Sequence, residues 1–183
     1  MSWIWLKRLL DYTLGLLLVL LFLPLILAIW MILKLLFRCN PIYKQERIGQ
    51  NGKHFNIIKF RTIDPHTQLP THRLSPFLRK TNLDELPQLF QVLAGKLSLV
   101  GPRPHLAEHV AMYEEWQKER LLAKPGITGL RQISTTQKLR FNEHLELDVE
   151  YIKRWSPTLD LIIIVKTAGL QLKKFWIALE NKS

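Results

Sequence analysis

One cysteine is present among 183 residues. A disulfide-stapled fold is excluded, as is any zinc or iron–sulfur site built from several thiolates. Acidic residues are scarce, 15 Asp and Glu against 26 Lys and Arg, for a net charge of +11. Gly95-Lys96 lacks the following Ser or Thr and the upstream Gly of a P-loop, and Gly126 and Gly129 make no dinucleotide fingerprint. There is no G-x-S-x-G nucleophile elbow, no internal repeat and no low-complexity tract. The length suits one domain with a short appendage.

What is present is unevenly distributed. Residues 1–38 hold 29 apolar residues, and Tyr12 to Leu33 is a 22-residue stretch without a charge. The positive charge concentrates in 41–105, which carries ten basic residues against four acidic ones, whereas 106–158 is neutral. A generic basic surface would spread its excess, so 41–105 is where an anion is expected.

The apolar run is long enough to reach across a bilayer, which takes roughly 20 residues. It is too long for a cleavable signal, and no A-x-A site follows it. Its topology has two readings. Lys7 and Arg8 precede the run, and Lys34, Arg38, Lys44 and Arg47 follow it. The positive-inside rule therefore draws both ends to the cytoplasmic side. Pro24, near the midpoint, removes a backbone donor and bends a helix. A broken helix dipping into one leaflet satisfies both observations, and a Pro-kinked spanning helix is the alternative.

Beyond it, 40–52 reads as loop and turn with short extended pieces, 55–61 as a strand and 62–76 as a surface loop. Leu86, Leu89, Phe90 and Leu93 share a face and predict a helix over 84–94, stopped at Gly95. Helices are also expected over 105–123, 142–154 and 159–179. The last interleaves Ile162, Ile163 and Trp176 with Lys166, Lys173 and Lys174, which suits either a membrane surface or a final core-packing helix.

Asp84-Glu85 can be explained structurally, with Asp84 as helix N-cap and Glu85 favouring the helix dipole. Their setting suggests chemistry. Arg79 and Lys80 lie upstream and Arg103 downstream, so the pair sits among cations as a metal-bridged phosphate site would require. Lys59 and Arg61 alternate along the expected strand and would share one face, as a phosphate clamp or as a solvated edge. His105-Leu-Ala-Glu-His109 matches an H-x-x-E-H zinc pattern without a clear third ligand.

Four segments together carry a resemblance. Lys59-Phe-Arg-Thr-Ile, Phe77-Leu-Arg-Lys-Thr-Asn-Leu-Asp-Glu-Leu-Pro-Gln-Leu-Phe90, Leu97-Ser-Leu-Val-Gly-Pro-Arg-Pro104 and Lys124-Pro-Gly-Ile-Thr-Gly-Leu130 resemble the bacterial sugar transferases, the monotopic phosphoglycosyl transferases, in order and spacing. The likeness runs from Lys7-Arg8 to about Leu172. It implies a mainly helical α+β monotopic membrane protein, with a re-entrant helix-break-helix over 1–38 broken near Pro24. A small catalytic domain with interfacial helices would follow over 39–183. It implies transfer of a phospho-sugar from a UDP-sugar to polyprenyl phosphate at the cytoplasmic face of the bacterial inner membrane, with release of UMP. Membrane lipids and downstream glycosyltransferases would be partners, and nucleic acid would not. Carried over by position, Asp84 is the nucleophile and touches Mg2+, and Glu85 accepts a proton in the second half-reaction. Arg79 and Arg103 hold phosphates, Lys59 matches the family's basic position and with Arg61 is expected to bind substrate, and Gln132 lies on the nucleotide side.

The chain departs from the family in three places. Leu23 replaces the usual Ser before the breaking Pro. Gly129-Leu-Arg-Gln-Ile133 and Ser134-Thr-Thr-Gln137 replace G-L-A-Q-V and N-G-R-N, which bears on the sugar and on nucleotide binding. His105 and His109 stand where the family shows apolar or aromatic residues. A competing class, a tethered non-catalytic binder of anionic lipid or nucleic acid, would use the basic residues of 41–105 but has no need for Asp84 and Glu85.

Overall fold

The computed structural model describes residues 3–36, 40–64, 67–134 and 141–180. The expected boundary at 38/39, Arg38, and residues 135–137 of the altered loop lie outside them. The fold is mainly helical with two small sheets.

Helix α1, Trp3–Leu36, is a single element with Pro24 inside it. The expected break is thus not an interruption of helical structure. Pro24 removes one backbone donor, and helical hydrogen bonding resumes on either side. At 1.5 Å per residue the helix is about 50 Å long. Although apolar on every face, it has a docked stripe: Asp11, Gly15, Val19, Ile26, Ile29 and Leu33 are buried at helical spacing. Trp5, Leu9, Leu16, Leu20, Leu27 and Met31 are exposed.

Strands β1 (Ile42–Ile48) and β2 (His54–Phe60) form an antiparallel hairpin with Ile42 opposite Phe60 and Ile48 opposite His54. Its turn places Asn51 at φ 55° and Gly52 at φ 73°, the left-handed region those residues tolerate best. Residues 42–48, expected as mostly loop, are therefore a strand. The hairpin satisfies the backbone of a polar sequence that has little β signal of its own.

Helix α2 (Ser75–Lys80) leads into a 3-10 turn, Leu83–Glu85, and then α3 (Gln88–Leu93). The helix expected over 84–94 is thus divided at Pro87, and Asp84 lies within the turn rather than capping a helix. Strands β3 (Ser98–Val100) and β4 (Gly126–Thr128) pair in parallel. Gly101 and Gly126 permit a backbone crossing, since a Cβ on Gly126 would lie 2.1 Å from the Gly101 nitrogen. The segment expected as one helix over 105–123 divides into α4 (Ala107–Ala111), α5 (Glu115–Lys118) and a 3-10 turn, Glu119–Leu122. Helices α6 (Leu130–Ile133), α7 (Phe141–Lys153) and α8 (Pro157–Glu180) complete the chain, the last two close to expectation.

The core joins these pieces through α1. Val19 packs with Ile57, Leu89, Val92, Leu99 and Ile163, while Ile26, Ile29 and Leu33 pack with Phe60 and Leu78. A polar anchor is buried beside it. Asp11 accepts hydrogen bonds from Ser98 Oγ and Leu99 N, each at 3.0 Å, and from Lys7 Nζ at 3.3 Å. Lys7 also pairs with Asp160 at 2.7 Å, which in turn accepts from Tyr151 and Trp155.

Candidate active site

The left-handed Asn82 (φ 54°) turns the chain out of α2 and into the 3-10 turn that carries Asp84 and Glu85. Strand β2 supplies Lys59 from below, and the extended segment after β3 supplies Arg103. Both cations reach the same carboxylate oxygen: Lys59 Nζ and Arg103 Nη2 each lie 2.7 Å from Glu85 Oε1. Burial alone would push the Glu85 carboxyl up, but Arg103 and Lys59 outweigh it and hold the group down to about 2.

Asp84 behaves in the opposite way. It is buried and has no side-chain ion pair within 4.0 Å among the described residues. Burial and the Glu85 charge push it up to about 6, against the opposing pull of Lys59 and Arg79. One carboxylate is thus paired with two cations through Oε1, while its neighbour has no ion pair among the described residues, is ionised above about pH 6 and lies close to positive charge. This is an arrangement suited to attack on, or ligation near, an anionic centre. A firmly ionised Glu85 is a weak proton acceptor and a strong holder of Lys59 and Arg103.

The remaining residues expected at the site fall at different distances from this cluster. Arg79 closes α2, is exposed, and acts on Asp84 through its charge. Arg61 lies just past β2 and is not brought in: its Nε donates to the Asn40 carbonyl at 3.1 Å and its guanidinium sits 5.9 Å over the Tyr43 ring. Gln132 lies on α6 with both amide heteroatoms buried and without hydrogen-bond partners.

A metal finds one free carboxylate here, that of Asp84. No group of three or more His, Cys, Asp or Glu suited to a metal occurs among the described residues. Mg2+ commonly takes one or two carboxylates and completes its shell with substrate phosphates and water, so the residues fit that ion and not a closed all-protein site. The zinc pattern dissolves: α4 begins at Ala107, so His105 precedes the helix that carries His109. The His105 Nδ1 is 2.7 Å from the Tyr113 hydroxyl instead.

A second set of groups was not legible in the sequence. Arg120 and Asp148 form a buried pair at 2.6 Å, and Arg120 Nη2 also donates to the Arg103 carbonyl at 2.6 Å. Arg47 Nη1 reaches the Pro104 carbonyl at 3.4 Å, and Arg131 Nη1 lies 3.2 Å from His105 Nε2. Burial and the surrounding Arg120, Arg131, His109 and Arg47 drive His105 down to about 3. Only the local basic excess of 41–105 hinted at this convergence, because its partners come from 17 to 57 positions away along the chain.

Comparison with known proteins gives a consistent picture. The family model described as bacterial sugar transferase matches residues 2–174. An uncharacterized sugar transferase of Haemophilus influenzae is 37% identical over 195 aligned residues, covering 92% of this chain and 41% of that protein. The UDP-glucose:undecaprenyl-phosphate glucose-1-phosphate transferase of Xanthomonas campestris pv. campestris is 39% identical, covering 79% of this chain and 34% of that protein. The uncharacterized sugar transferase EpsL of Bacillus subtilis is 39% identical, covering 88% and 85%. The chain thus spans less than half the length of the first two relatives and most of the third.

Proposed function

The chain belongs to the bacterial sugar transferase family, and from that premise we propose that it transfers a phospho-sugar from a UDP-sugar to polyprenyl phosphate. One observation carries the assignment: two adjacent carboxylates, one paired with Lys59 and Arg103, the other buried and without an ion pair among the described residues.

In the proposed reaction an Asp84 carboxylate oxygen attacks the phosphorus that bears the sugar. The bond to the bridging oxygen breaks, UMP leaves with the bonding pair, and an aspartyl phospho-sugar remains. A polyprenyl phosphate oxygen then attacks the same phosphorus and Asp84 departs as carboxylate. The product is the polyprenyl diphosphate sugar, the first membrane-bound step of surface glycan assembly. Asp84 would hold Mg2+, which when bound screens the charge of the diphosphate. Glu85 keeps Lys59 and Arg103 in place; the proton-accepting role expected for it is replaced by this one, because its carboxyl is held down to about 2 and a phosphate acceptor is already anionic. Arg79 adds long-range positive charge, which lowers the repulsion between carboxylate and phosphate. Gln132, a buried amide with unused donors and an unused acceptor, suits the nucleotide side.

The lipid acceptor requires the site at a membrane. Helix α1 is docked from Asp11 to Leu33 on the one domain, so a straight crossing would carry that domain into the bilayer. This supports an α1 that bends at Pro24, embeds its outer face in one leaflet and keeps both ends on the cytoplasmic side. The exposed apolar residues of α8 would lie at the same surface.

Incubation with undecaprenyl phosphate, Mg2+ and a panel of UDP-sugars tests the chemistry. UMP should form with at least one sugar and not with Asp84→Asn, and EDTA should stop turnover. Failure of every sugar to yield UMP above the Asp84→Asn background would falsify the assignment. Cysteine labelling at residues 2 and 45 should report the same side; opposite sides would establish a crossing helix.

A further inference from the structure

Three arginines converge on the short segment Arg103-Pro104-His105, each from a different element. Arg120 donates to the Arg103 carbonyl, Arg47 on β1 to the Pro104 carbonyl, and Arg131 on α6 to the His105 ring. Arg120 is paired with Asp148, and Arg103 shares Glu85 with Lys59. Arg47 and Arg131 are different. Both are partly buried, and neither has a carboxylate within 4.0 Å among the described residues. No Asp or Glu occurs in the sequence outside those residues.

Their contacts hold them in place without a directly paired carboxylate. Arg131 can only donate, so His105 Nε2 must accept and Nδ1 carries the proton, directed at the Tyr113 oxygen. A neutral imidazole therefore aims the Arg131 guanidinium without cancelling its charge. Gln45 Oε1, 2.7 Å from Arg47 Nη2, does the same for Arg47, whose Nε is buried without a partner. Burial and the adjacent Arg103 disfavour the charge on Arg47, and Tyr43 and Glu85 support it. At Arg131 burial opposes it, Asp148 supports it, and Arg103 and Arg120 oppose it. A guanidinium cannot shed its proton to relieve this, so such sites favour an anion.

We propose that Arg47 and Arg131 form a nucleotide-phosphate subsite, which binds the α-phosphate of the UDP-sugar and retains it as UMP. The inference rests on the function proposed above. Lys59 and Arg103 are occupied by Glu85 next to the reacting carboxylate, so the phosphate one position further along the diphosphate meets the cations beyond Arg103. When the bond to the bridging oxygen breaks, the electron pair stays with UMP and its negative charge grows. Two cations without a directly paired carboxylate are placed to meet it.

The test uses the full chain in detergent or nanodiscs and UMP as the probe, measured by calorimetry. Arg131→Gln and Arg47→Gln should each weaken UMP binding roughly 10-fold or more, the usual loss for a charge-assisted hydrogen bond. Arg131→Lys should weaken it less, and the exposed control Arg154→Gln should leave it unchanged. In turnover, KM for the UDP-sugar should rise while KM for polyprenyl phosphate stays fixed. UMP binding within twofold of wild type in both glutamine variants overturns the subsite, as does a rise confined to the lipid KM or a wild type that does not bind UMP. Should Arg131→Gln melt below the assay temperature, Arg47→Gln carries the comparison from a separate element. A wild type that binds UMP but releases none from any UDP-sugar defeats the proposed function, while the variants still decide the subsite.

Discussion

Asp84 and Glu85 are neighbours in sequence, yet one titrates near 6 and the other near 2. The difference comes from who reaches them: two cations at 2.7 Å on Glu85, and only burial and more distant charges on Asp84. The raised Asp84 value has a measurable consequence for stability. In the unfolded chain the group ionises near 3.8, in the fold near 6. Between those values the fold binds more protons, so stability falls as pH rises through the window, and the full penalty persists above it. Asp84→Asn removes the penalty. It should abolish turnover while raising stability at pH 7.5 in EDTA by about 1–3 kcal/mol, and this gain should vanish below pH 4. Thermal melts of both proteins across pH check this; equal melting points at pH 7.5 would count against the burial of an ionised Asp84.

At the scale of elements, α1 is held to the domain by more than apolar packing. Asp11 supplies acceptors to Ser98 Oγ and to the Leu99 amide on β3, and both donors lie in buried residues. Asp11→Ala should destabilise the chain by about 1–3 kcal/mol, since it strands a backbone donor and removes a partner of Lys7. A denaturation series in detergent reads this, and an unchanged midpoint would mean water replaces the carboxylate. Legibility also divides at this scale. Strand β2 was readable because Phe55, Ile57 and Ile58 give it β composition, whereas β1 carries Lys44, Gln45, Glu46 and Arg47 and is a strand only through its pairing with β2. The 84–94 segment has helical periodicity, but Pro87 cannot donate within a helix, so a 3-10 turn precedes α3. That turn is what directs Asp84 and Glu85. The Asp84, Glu85, Lys59 and Arg103 cluster followed from motifs. The Arg120–Asp148 pair, 28 positions apart, and the His105 environment did not, since nothing local marks residues joined only by tertiary packing.

For the whole molecule, the exposed apolar residues fall largely on two long helices. Besides the outer face of α1, Val165, Leu172, Trp176 and Leu179 project from α8. A water-facing surface of that kind is unusual, and a bilayer interface satisfies it. Trp176→Glu should reduce flotation of the chain with anionic vesicles and lower turnover with lipid-embedded acceptor. Binding of UMP should be unaffected, because Trp176 is exposed on α8 and is not among the hydrogen-bond partners of Arg47 or Arg131. Loss of both membrane turnover and UMP binding would instead mark α8 as part of the domain's structural support. The buried anchor at the start of α1 carries a different implication, one about biosynthesis. Lys7 leaves the ribosome 153 residues ahead of its partner Asp160. The membrane helix is therefore available to the bilayer long before its lock on the domain can close. On that order insertion would come first, and the domain would assemble around a helix already in place.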